Sequence, residues 1–475
     1  MPAPDVTEQR FARMRPRRVD AARVRPGDLP PGPRLPAILQ SIGALRFRHT
    51  FIPAMHRRYG EVFSLRLVPE GRNFVLFSRP EHVKEIFAGD PEVFHAGKGN
   101  AILGPVMGEH SLLLLDSGQH RRARKLLMPA FNGRALRGYE DLVVRLVRAE
   151  VERWPEHEPF ASLGRMNALT LEVILHVVFG VTDEDRLAQL RPVVHRTVNI
   201  PPLVFLGWAF PALHRLGPWR RTVENQVEMD RLIFAEIAER RLASDLADRP
   251  DVLSRLLQVE DDESDHALTD EELRDQLVTL LLAGHETTAT ALAWTLYELG
   301  QDPDQEARAH SAAVADDSDY LEAVLKESLR LHPVIPMAVR HLMAPATVGG
   351  IDLPRGTNVA ASIVLAHQSE SSHPDHTRFR PERFLEGEVP TSTWFPFGGG
   401  VRRCIGAGFS MMEGVVVLRE VLSAYRVTTP SGRTEVPRVR NITSVPRHGA
   451  RIVVTRRSSP HHGDQARSDD FRNGP

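Results

Sequence analysis

The stretch FPFGGGVRRCIGAGFS, residues 395–410, contains the only cysteine among the 475 residues of the chain. Three glycines and two arginines precede Cys404, and the apolar residues after Gly406 predict a helix. A thiol at a helix N-terminus beside arginines should have a lowered pKa, which would favour the thiolate. The glycines would let a flat molecule lie close to the backbone. A lone cysteine is more often an inert buried residue, but these neighbours favour a functional one.

The composition is that of a globular protein without a strong overall charge. There are 60 basic and 61 acidic residues, 42% of the residues are hydrophobic and 25% are charged. This balance gives no support for a nucleic-acid partner, and one cysteine excludes a disulfide framework and favours the reducing cytoplasm. No run of about 18 uncharged apolar residues predicts a membrane span, and the N-terminus does not resemble a signal peptide. Residues 35–47, LPAILQSIGALRF, could contact a membrane interface, although packing in the core is favoured.

The pattern along the chain predicts one large domain between two polar ends. Residues 1–27 are interpreted as a mobile N-terminal arm, 28–455 as the domain and 456–475 as a disordered C-terminal tail. Apolar residues three and four positions apart predict helices through most of the domain, and short β runs occur near each of its ends. The predicted fold class is mainly α with small β-sheets (α+β).

The longest predicted helix covers residues 268–300. Thr269 and Glu272 have the spacing of a capping box at its start, and Gly300 with Pro303 indicates its end. A helix of roughly 30 residues would be about 45 Å long. Its middle, AGHETT at 283–288, interrupts an apolar run with small and polar residues, which indicates a close approach by another group. The alternative is a polar patch that faces solvent.

Four motifs in order resemble those of the cytochrome P-450 superfamily. Residues 397–406 resemble its haem-binding loop, and AGHETT resembles its oxygen-activating central helix. ESLR (327–330) and PERF (381–384) resemble the segments that form its Glu-x-x-Arg and second-arginine network. The resemblance covers about Pro30 to Thr455. It implies a single large haem-thiolate cytochrome fold with a long central oxygen-activating helix, and haem-thiolate monooxygenase activity.

The resemblance also implies which residues hold the cofactor, heme b. Cys404 would be the axial ligand of the iron, as a thiolate that favours O–O cleavage. Cationic side chains would neutralise the haem propionates, and His120 and Arg124 lie i, i+4 so that both could reach one ligand. The predicted cofactor-binding residues are His120, Arg124, Ala283, Gly284, Arg340, Phe397, Gly400, Arg402 and Gly406. For His120 and Arg124 taken alone, a solvated basic helix face is the competing interpretation.

Glu286 and Thr287 match the acid–alcohol pair of the family and are the predicted catalytic residues. The threonine hydroxyl would hold water and the carboxylate would relay protons inward for the reduction of O2, the co-substrate. Glu327, Arg330 and Arg383 would form a structural network behind the cysteine loop. The usual His-x-Asp-Pro is incomplete here: His367 corresponds to its histidine, but the Asp-Pro is absent.

The resemblance implies that residues 99–115, residues 199–217 and the turn before Ala283 contact the substrate. Because these segments are strongly apolar, the expected substrate is a lipophilic small molecule such as a terpenoid, steroid, fatty acid or polyketide. Ordinary core packing is the competing interpretation for most of these side chains. The chain has no flavin or iron–sulfur motif. Electrons should therefore come ultimately from NAD(P)H through a ferredoxin or flavodoxin and its reductase. Arg121, Arg122 and Lys125 could form a docking face for an acidic partner, or be ordinary surface charge.

Two alternatives remain at the level of sequence. A haem-thiolate protein could bind or sense a molecule without turnover, although the intact Glu286–Thr287 pair argues against this. Alternatively, Cys404 could be a nucleophile paired with a histidine, which would leave the other three motifs unexplained.

Overall fold

The structure is a computed structural model that describes residues 29–68, 72–181, 183–198, 200, 216–259, 268–432 and 434–457. The predicted arm at residues 1–27 lies outside the described residues, as does residue 458 onward of the predicted tail. The predicted substrate region at 199–217 is described only at residues 200, 216 and 217.

Helices make up most of the described chain. The α-helices are α1 Ala37–Arg46, α2 Arg48–Tyr59, α3 Pro80–Ala88, α4 Ala96–Gly99, α5 Gly104–Met107, α6 Ser117–Leu127, α7 Gly133–Val151, α8 Ser162–Phe179, α9 Glu184–Val198, α10 Gly217–Arg241, α11 Val252–Gln258, α12 Asp270–Gln301, α13 Pro303–Val314, α14 Ser318–Leu331, α15 Ile363–His367 and α16 Ala407–Ala424. Short 3-10 turns occur at Ala101–Leu103, Met128–Phe131, Leu246–Asp248, Pro381–Phe384 and Gly400–Arg402.

The strands form four small sheets. They are β1 Val62–Leu67, β2 Arg72–Phe77, β3 Phe94–His95, β4 Phe160–Ala161, β5 Met337–Leu342, β6 Ala346–Val348, β7 Ile351–Leu353, β8 Asn358–Ser362, β9 Tyr425–Thr428, β10 Pro437–Arg440, β11 Thr443–Pro446 and β12 Arg451–Arg456. The largest sheet has the order β1-β2-β8-β5-β3, and the others are β4-β12-β9, β10-β11 and β6-β7. β2 and β8 pair in parallel, whereas the other pairs in this sheet are antiparallel. The predicted fold class, mainly α with small sheets, is confirmed.

The central helix α12 begins as the sequence predicts. The Thr269 side chain accepts a hydrogen bond from the Glu272 N–H, and the Glu272 carboxylate accepts one from the Thr269 N–H, which completes the capping box. The predicted end is one residue early. Gly300 lies inside the helix, where a Cβ on this residue would come close to Thr428 and Thr429 at the end of β9. Pro303 is the first residue of the next helix, α13.

The core surrounds α12. Its apolar side chains pack against α8, and one large cluster of buried side chains joins these two helices to α7, α9, α13, α14 and α16. In the described part of the chain, α8 is the one helix long and apolar enough to cross a membrane, and most of it is buried inside the protein. Its apolar composition is therefore explained by its place in the core.

Residues 35–47 do not behave as expected. The prediction that this segment packs in the core is wrong for its large apolar side chains, because they are 44–51% exposed. These are Leu35, Ile38, Leu39, Ile42, Leu45 and Phe47. The buried side of α1 consists instead of small and polar residues.

Candidate active site

The cysteine loop is folded by its own backbone. Cys404 N–H donates to Phe397 O at 2.9 Å, and Gly398 N–H donates to Phe395 O at 2.9 Å. Gly400 has a φ of 62°, and a Cβ there would clash with the carbonyl oxygen of Phe87. Glycine is therefore required at this position both for its left-handed backbone and for the close approach of α3. The loop places Cys404 just before α16.

The thiol of Cys404 is accessible, but the protein does not by itself favour its thiolate. Burial among protein atoms raises the pKa of Cys404, which outweighs the lowering by the Gly406 N–H, Arg124 and Arg403. The lowering predicted from the helix N-terminus and the arginines is present, but desolvation, which the sequence does not reveal, penalises the charged form more than these groups stabilise it. A metal cation at the sulfur would supply the stabilisation that is lacking.

The predicted network of Glu327, Arg330 and Arg383 is confirmed. Arg330 Nε and Nη2 donate to the Glu327 carboxylate at 2.7 and 2.9 Å, and Arg383 Nε donates to it at 3.0 Å. The first two side chains are fully buried and Arg383 is 8% exposed. Arg330 also donates to the backbone carbonyl of His376 at 2.8 Å, so the network holds the segment that follows α15.

His367 connects this network to the cysteine loop. Its backbone carbonyl accepts from Arg330 at 3.1 Å, and its Nε2 accepts from the Phe395 N–H at 3.0 Å. Complete burial keeps the pKa of His367 well below its usual value, so the ring is neutral and Nε2 can accept. The sequence match at His367 gave no indication of this bond, which fixes the start of the loop.

Four predicted cofactor-binding residues converge on one region. Burial, followed by the charges of Arg402, Arg124 and Arg340, lowers the pKa of His120 to about 3. Its imidazole is therefore neutral and would act as a hydrogen-bond donor, whereas the sequence suggested a cation. Burial also lowers the pKa values of Arg340 and Arg402 to about 10, which still leaves both guanidinium groups charged at neutral pH. The region is strongly positive.

Asp116 is a site residue that the sequence analysis missed. Its carboxylate accepts from Arg402 Nη2 at 2.6 Å and from the N–H groups of Gly97 and Lys98 at 2.8 and 3.0 Å. Asp116 thus fixes the direction of Arg402 and offsets one of the positive charges. The sequence feature that could have identified Asp116 was its position just before α6, four residues before His120.

One side of α12 is open at the residues predicted to contact the cofactor and O2. Ala283 is exposed and Thr287 is half-buried, although the helix around them is buried. Thr288 Oγ1 lies 3.1 Å from Ser410 Oγ, which places this part of α12 beside the start of α16. A Cβ at Gly284 would lie 2.8 Å from Ile174 Cδ1, so packing against α8 is one reason for this glycine.

Glu286 and Thr287 point in different directions. The Thr287 hydroxyl donates to Ala283 O at 2.7 Å, within the helix. The Glu286 carboxylate accepts from Thr443 Oγ1 at 3.3 Å and lies 3.2 Å from Arg440 Nε, both in the β10–β11 hairpin. Burial raises the pKa of Glu286, although Arg440 and Thr443 act to lower it. Arg440 and Thr443 are further site residues that the sequence analysis missed.

These residues fit a haem group. Cys404 offers an accessible sulfur. In the same loop, the ring centres of Phe397 and Trp394 are 6.2 Å apart. The positive region around His120 suits two carboxylates, because one Asp116 does not neutralise three arginines. Among the described residues no group of three His, Cys, Asp or Glu side chains could hold a metal ion.

Comparison with known proteins agrees with the geometry. A family model described as Cytochrome P450 matches residues 29–453. Putative cytochrome P450 135A1 of Mycobacterium tuberculosis is 54% identical over 90% of this chain and 96% of its own length. Putative cytochrome P450 135B1 of Mycobacterium bovis is 42% identical over 90% of this chain and 91% of its own.

Solved structures show the same fold. A cyanobacterial protein, CYP120A1 with retinoic acid bound, matches with a TM-score of 0.80 and 25% identity, over 90% of this chain and 99% of that chain. The heme domain of cytochrome P450DA matches with a TM-score of 0.79 and 24% identity, over 90% of this chain and 98% of that chain. The haem cofactor and O2 expected from Cys404 and the open side of α12 thus agree with what these matches imply, and the chain belongs to the cytochrome P450 family of haem-thiolate monooxygenases.

Proposed function

We propose that this chain hydroxylates or epoxidises a lipophilic small molecule, with one oxygen atom from O2 and two electrons from a separate redox protein. The observation that carries the proposal is the open side of α12 at Ala283 and Thr287, beside the start of the helix that follows Cys404. One domain, at about residues 28–455, would contain the whole site. The cytoplasm is the proposed location.

The cofactor, heme b, would be held at both its metal and its carboxylates. Cys404 would ligate iron, while His120, Arg124, Arg340 and Arg402 would bind the propionates. Phe397, Gly400 and Gly406 would line the proximal side, and Ala283 and Gly284 the distal side. When bound, haem supplies the redox chemistry that activates O2. The network of Glu327 and its two arginines would hold the loop in place behind the sulfur.

Thr287 and Glu286 would supply protons. Rotation of the Thr287 hydroxyl away from Ala283 O would let it hold a water molecule on the open side of α12. Burial raises the pKa of Glu286, which favours the protonated carboxyl that a proton donor requires. Because it is bonded to Thr443 and paired with Arg440, Glu286 must turn from the β10–β11 hairpin to pass a proton inward.

A lipophilic substrate is supported by the apolar segment before α6. Within residues 99–115, Val106, Met107, Leu112 and Leu115 are buried, whereas Ile102 is 41% exposed. The solved structure of CYP120A1 contains retinoic acid, a lipophilic acid, which supports the same class of ligand here.

The electron donor would be a ferredoxin or flavodoxin, reduced by NAD(P)H through a reductase. Of the cations suggested for docking, Arg121 is 69% exposed and lies 3.8 Å from Glu92, whereas Arg122 pairs with Glu272 at 2.8 Å. Arg121 and Lys125 are exposed, whereas the Arg122 side chain is only 27% exposed, so the first two are better placed to meet an acidic partner. Electron transfer should slow at high salt, and a rate independent of salt would contradict this docking face.

The decisive experiment is the spectrum of the reduced holoprotein under carbon monoxide, followed by substrate-dependent O2 consumption. A strongly red-shifted Soret band in the wild type and its loss in Cys404→Ser would support thiolate ligation by Cys404. Lipophilic compounds that shift the haem spin state and also stimulate electron consumption would support turnover. Binding without any stimulated consumption would instead support a sensing role, and would contradict the proposal.

A further inference from the structure

The helix α1 presents its apolar side outward. Its buried residues are Gln40, Ser41, Gly43 and Ala44, whereas Ile38, Leu39, Ile42 and Leu45 are 45–51% exposed. Leu35, just before the helix, and Phe47, just after it, extend the apolar row and are 44% and 49% exposed. A surface helix normally has the opposite arrangement. The outward row, Leu35 to Phe47, is called the apolar ridge below.

Hydrogen bonds hold the helix in this orientation. The Gln40 amide donates to Leu35 O at 2.7 Å and accepts from the Arg66 N–H at 2.9 Å. The Ser41 hydroxyl accepts from the Val68 N–H at 2.9 Å. These bonds satisfy backbone groups at the outer strand β1 that would otherwise face a hydrocarbon surface. The polar side of α1 must therefore face the protein, and these hydrogen bonds do not involve the apolar ridge.

The sequence on either side of the apolar ridge is rich in positive charge. Residues 29–60 contain five arginines and no aspartate or glutamate. Arg34, Arg46, Arg57 and Arg58 are exposed, and the Arg46 guanidinium lies 5.4 Å from the centre of the Phe47 ring. The fifth, Arg48, is buried and donates to Ile442 O at 2.9 Å. The four exposed cations thus accompany the apolar ridge without an acidic residue in the same stretch of sequence.

We propose that the apolar ridge and its four exposed arginines dock the protein on an anionic lipid surface. Apolar side chains would enter the boundary between headgroups and acyl chains, while the arginines would pair with phosphates. This contact lies on the surface and requires no membrane span. It is also independent of the proposed reaction, since it rests on the orientation and charge of α1 alone.

Charge disfavours the other occupants of the ridge. A second copy would bring its own four arginines against these four. The preceding 28 residues contain seven arginines and only four acidic residues, so they too would be repelled. An acidic protein partner would satisfy the arginines, but it would leave the row of six large apolar side chains without a matching apolar surface.

The test is co-sedimentation of the full-length holoprotein with lipid vesicles. We expect binding to vesicles that contain phosphatidylglycerol, weak binding to pure phosphatidylcholine, and weaker binding at high salt. The variant Ile38→Ser/Leu39→Ser/Ile42→Ser should bind at least about tenfold more weakly. The matched control is Leu242→Ser/Val314→Ser, which changes two side chains that are 87% and 68% exposed elsewhere and should bind as the wild type does.

A second variant keeps the apolar ridge intact in case the first fails to fold. Arg46→Gln/Arg57→Gln/Arg58→Gln should lose the preference for anionic vesicles, with an unchanged haem spectrum and circular dichroism. Equal binding to both kinds of vesicle, or binding unaffected by either variant, would overturn the proposal. A dimer that the serine variant dissociates, with no vesicle binding by the wild type, would assign the ridge to a second copy and would also overturn it.

Discussion

The Glu286 carboxylate lies 3.2 Å from Arg440 Nε, so the central helix α12 is joined to the β10–β11 hairpin at the residue proposed to donate protons. Thr443, which is 157 positions from Glu286, donates to the same carboxylate at 3.3 Å. The turn of the hairpin is held in addition by Arg48, which donates to the carbonyl of Ile442 at 2.9 Å. The direction and the protonation of Glu286 therefore depend on a segment far from it in sequence.

We expect Arg440→Gln to shift the pH dependence of coupling between electron consumption and product. Arg440 lowers the pKa of Glu286, so its removal should raise that pKa further above its usual value. A protonated Glu286 supplies protons, and coupling should fall as rising pH ionises it. In the variant this fall should occur at higher pH. The measurement is the ratio of product to NAD(P)H consumed across a pH series.

The exposed Arg438 on the same strand provides the control, and Arg438→Gln should keep the wild-type profile. A variant Arg440→Gln that is merely less stable, with an unmoved pH profile, would show that Arg440 has only a structural role.

Thr287→Ala should keep haem and substrate binding but release hydrogen peroxide in place of product. The hydroxyl that would hold water on the open side of α12 is lost, while the buried packing of the helix is unchanged. We expect coupling to fall by about 10-fold or more, the usual scale of a lost proton-transfer group. Thr287→Ser should restore coupling, and Thr287→Val should not. Wild-type coupling in the alanine variant would contradict the assigned role.

Glu327→Ala should yield protein that does not retain haem. The substitution leaves Arg330 and Arg383 buried without their shared carboxylate, which costs about 3–5 kcal/mol. Haem content per chain and thermal unfolding are the measurements. The control is Glu322→Ala in the same helix, because the Glu322–Lys326 pair is partly exposed and contributes at most about 1 kcal/mol. Normal haem content in Glu327→Ala would remove the structural role of the network.

Glu413→Gln should stabilise the protein progressively as the pH rises. Burial raises the pKa of Glu413 from 4.5 to about 8, and its Oε1 has no hydrogen-bond partner in the described part of the chain. The unfolded chain ionises first, so the stability of the wild type is greatest below the unfolded pKa and falls until the folded carboxyl ionises near pH 8. Relative to the variant, the wild type should lose about 2–4 kcal/mol between about pH 5 and pH 8.

The measurement for Glu413 is denaturant unfolding at several pH values. The control is Glu388→Gln, which makes the same substitution at an exposed position. A difference between the wild type and Glu413→Gln that does not change with pH would show that Glu413 is ionised in the folded protein.

Features carried by a few neighbouring residues could be predicted from the sequence. The capping box of Thr269 and Glu272 needs only three positions of spacing. The network of Glu327 and Arg330 also depends on one helical turn, and the resemblance added Arg383 from a second motif. Such local signals, together with the ordered motifs, were enough to indicate the fold.

Features that depend on packing could not be predicted in this way. The pairing of Glu286 with Arg440 and of Asp116 with Arg402 joins segments that only the folded chain brings together. The orientation of α1 depends on backbone groups of Arg66 and Val68 that must be satisfied by Gln40 and Ser41. The direction of the Cys404 pKa shift depends on how densely the protein surrounds the sulfur, which spacing does not reveal.

The accessibility of Cys404 has a practical consequence. A thiol that small reagents can reach can be alkylated, whereas a thiolate that ligates a metal is protected. The chain has no second thiol with which to form an internal disulfide. Ligation of iron by Cys404 would block alkylation of the sulfur, so labelling by a small maleimide would report the fraction of a preparation in which this one thiol is not bound to iron.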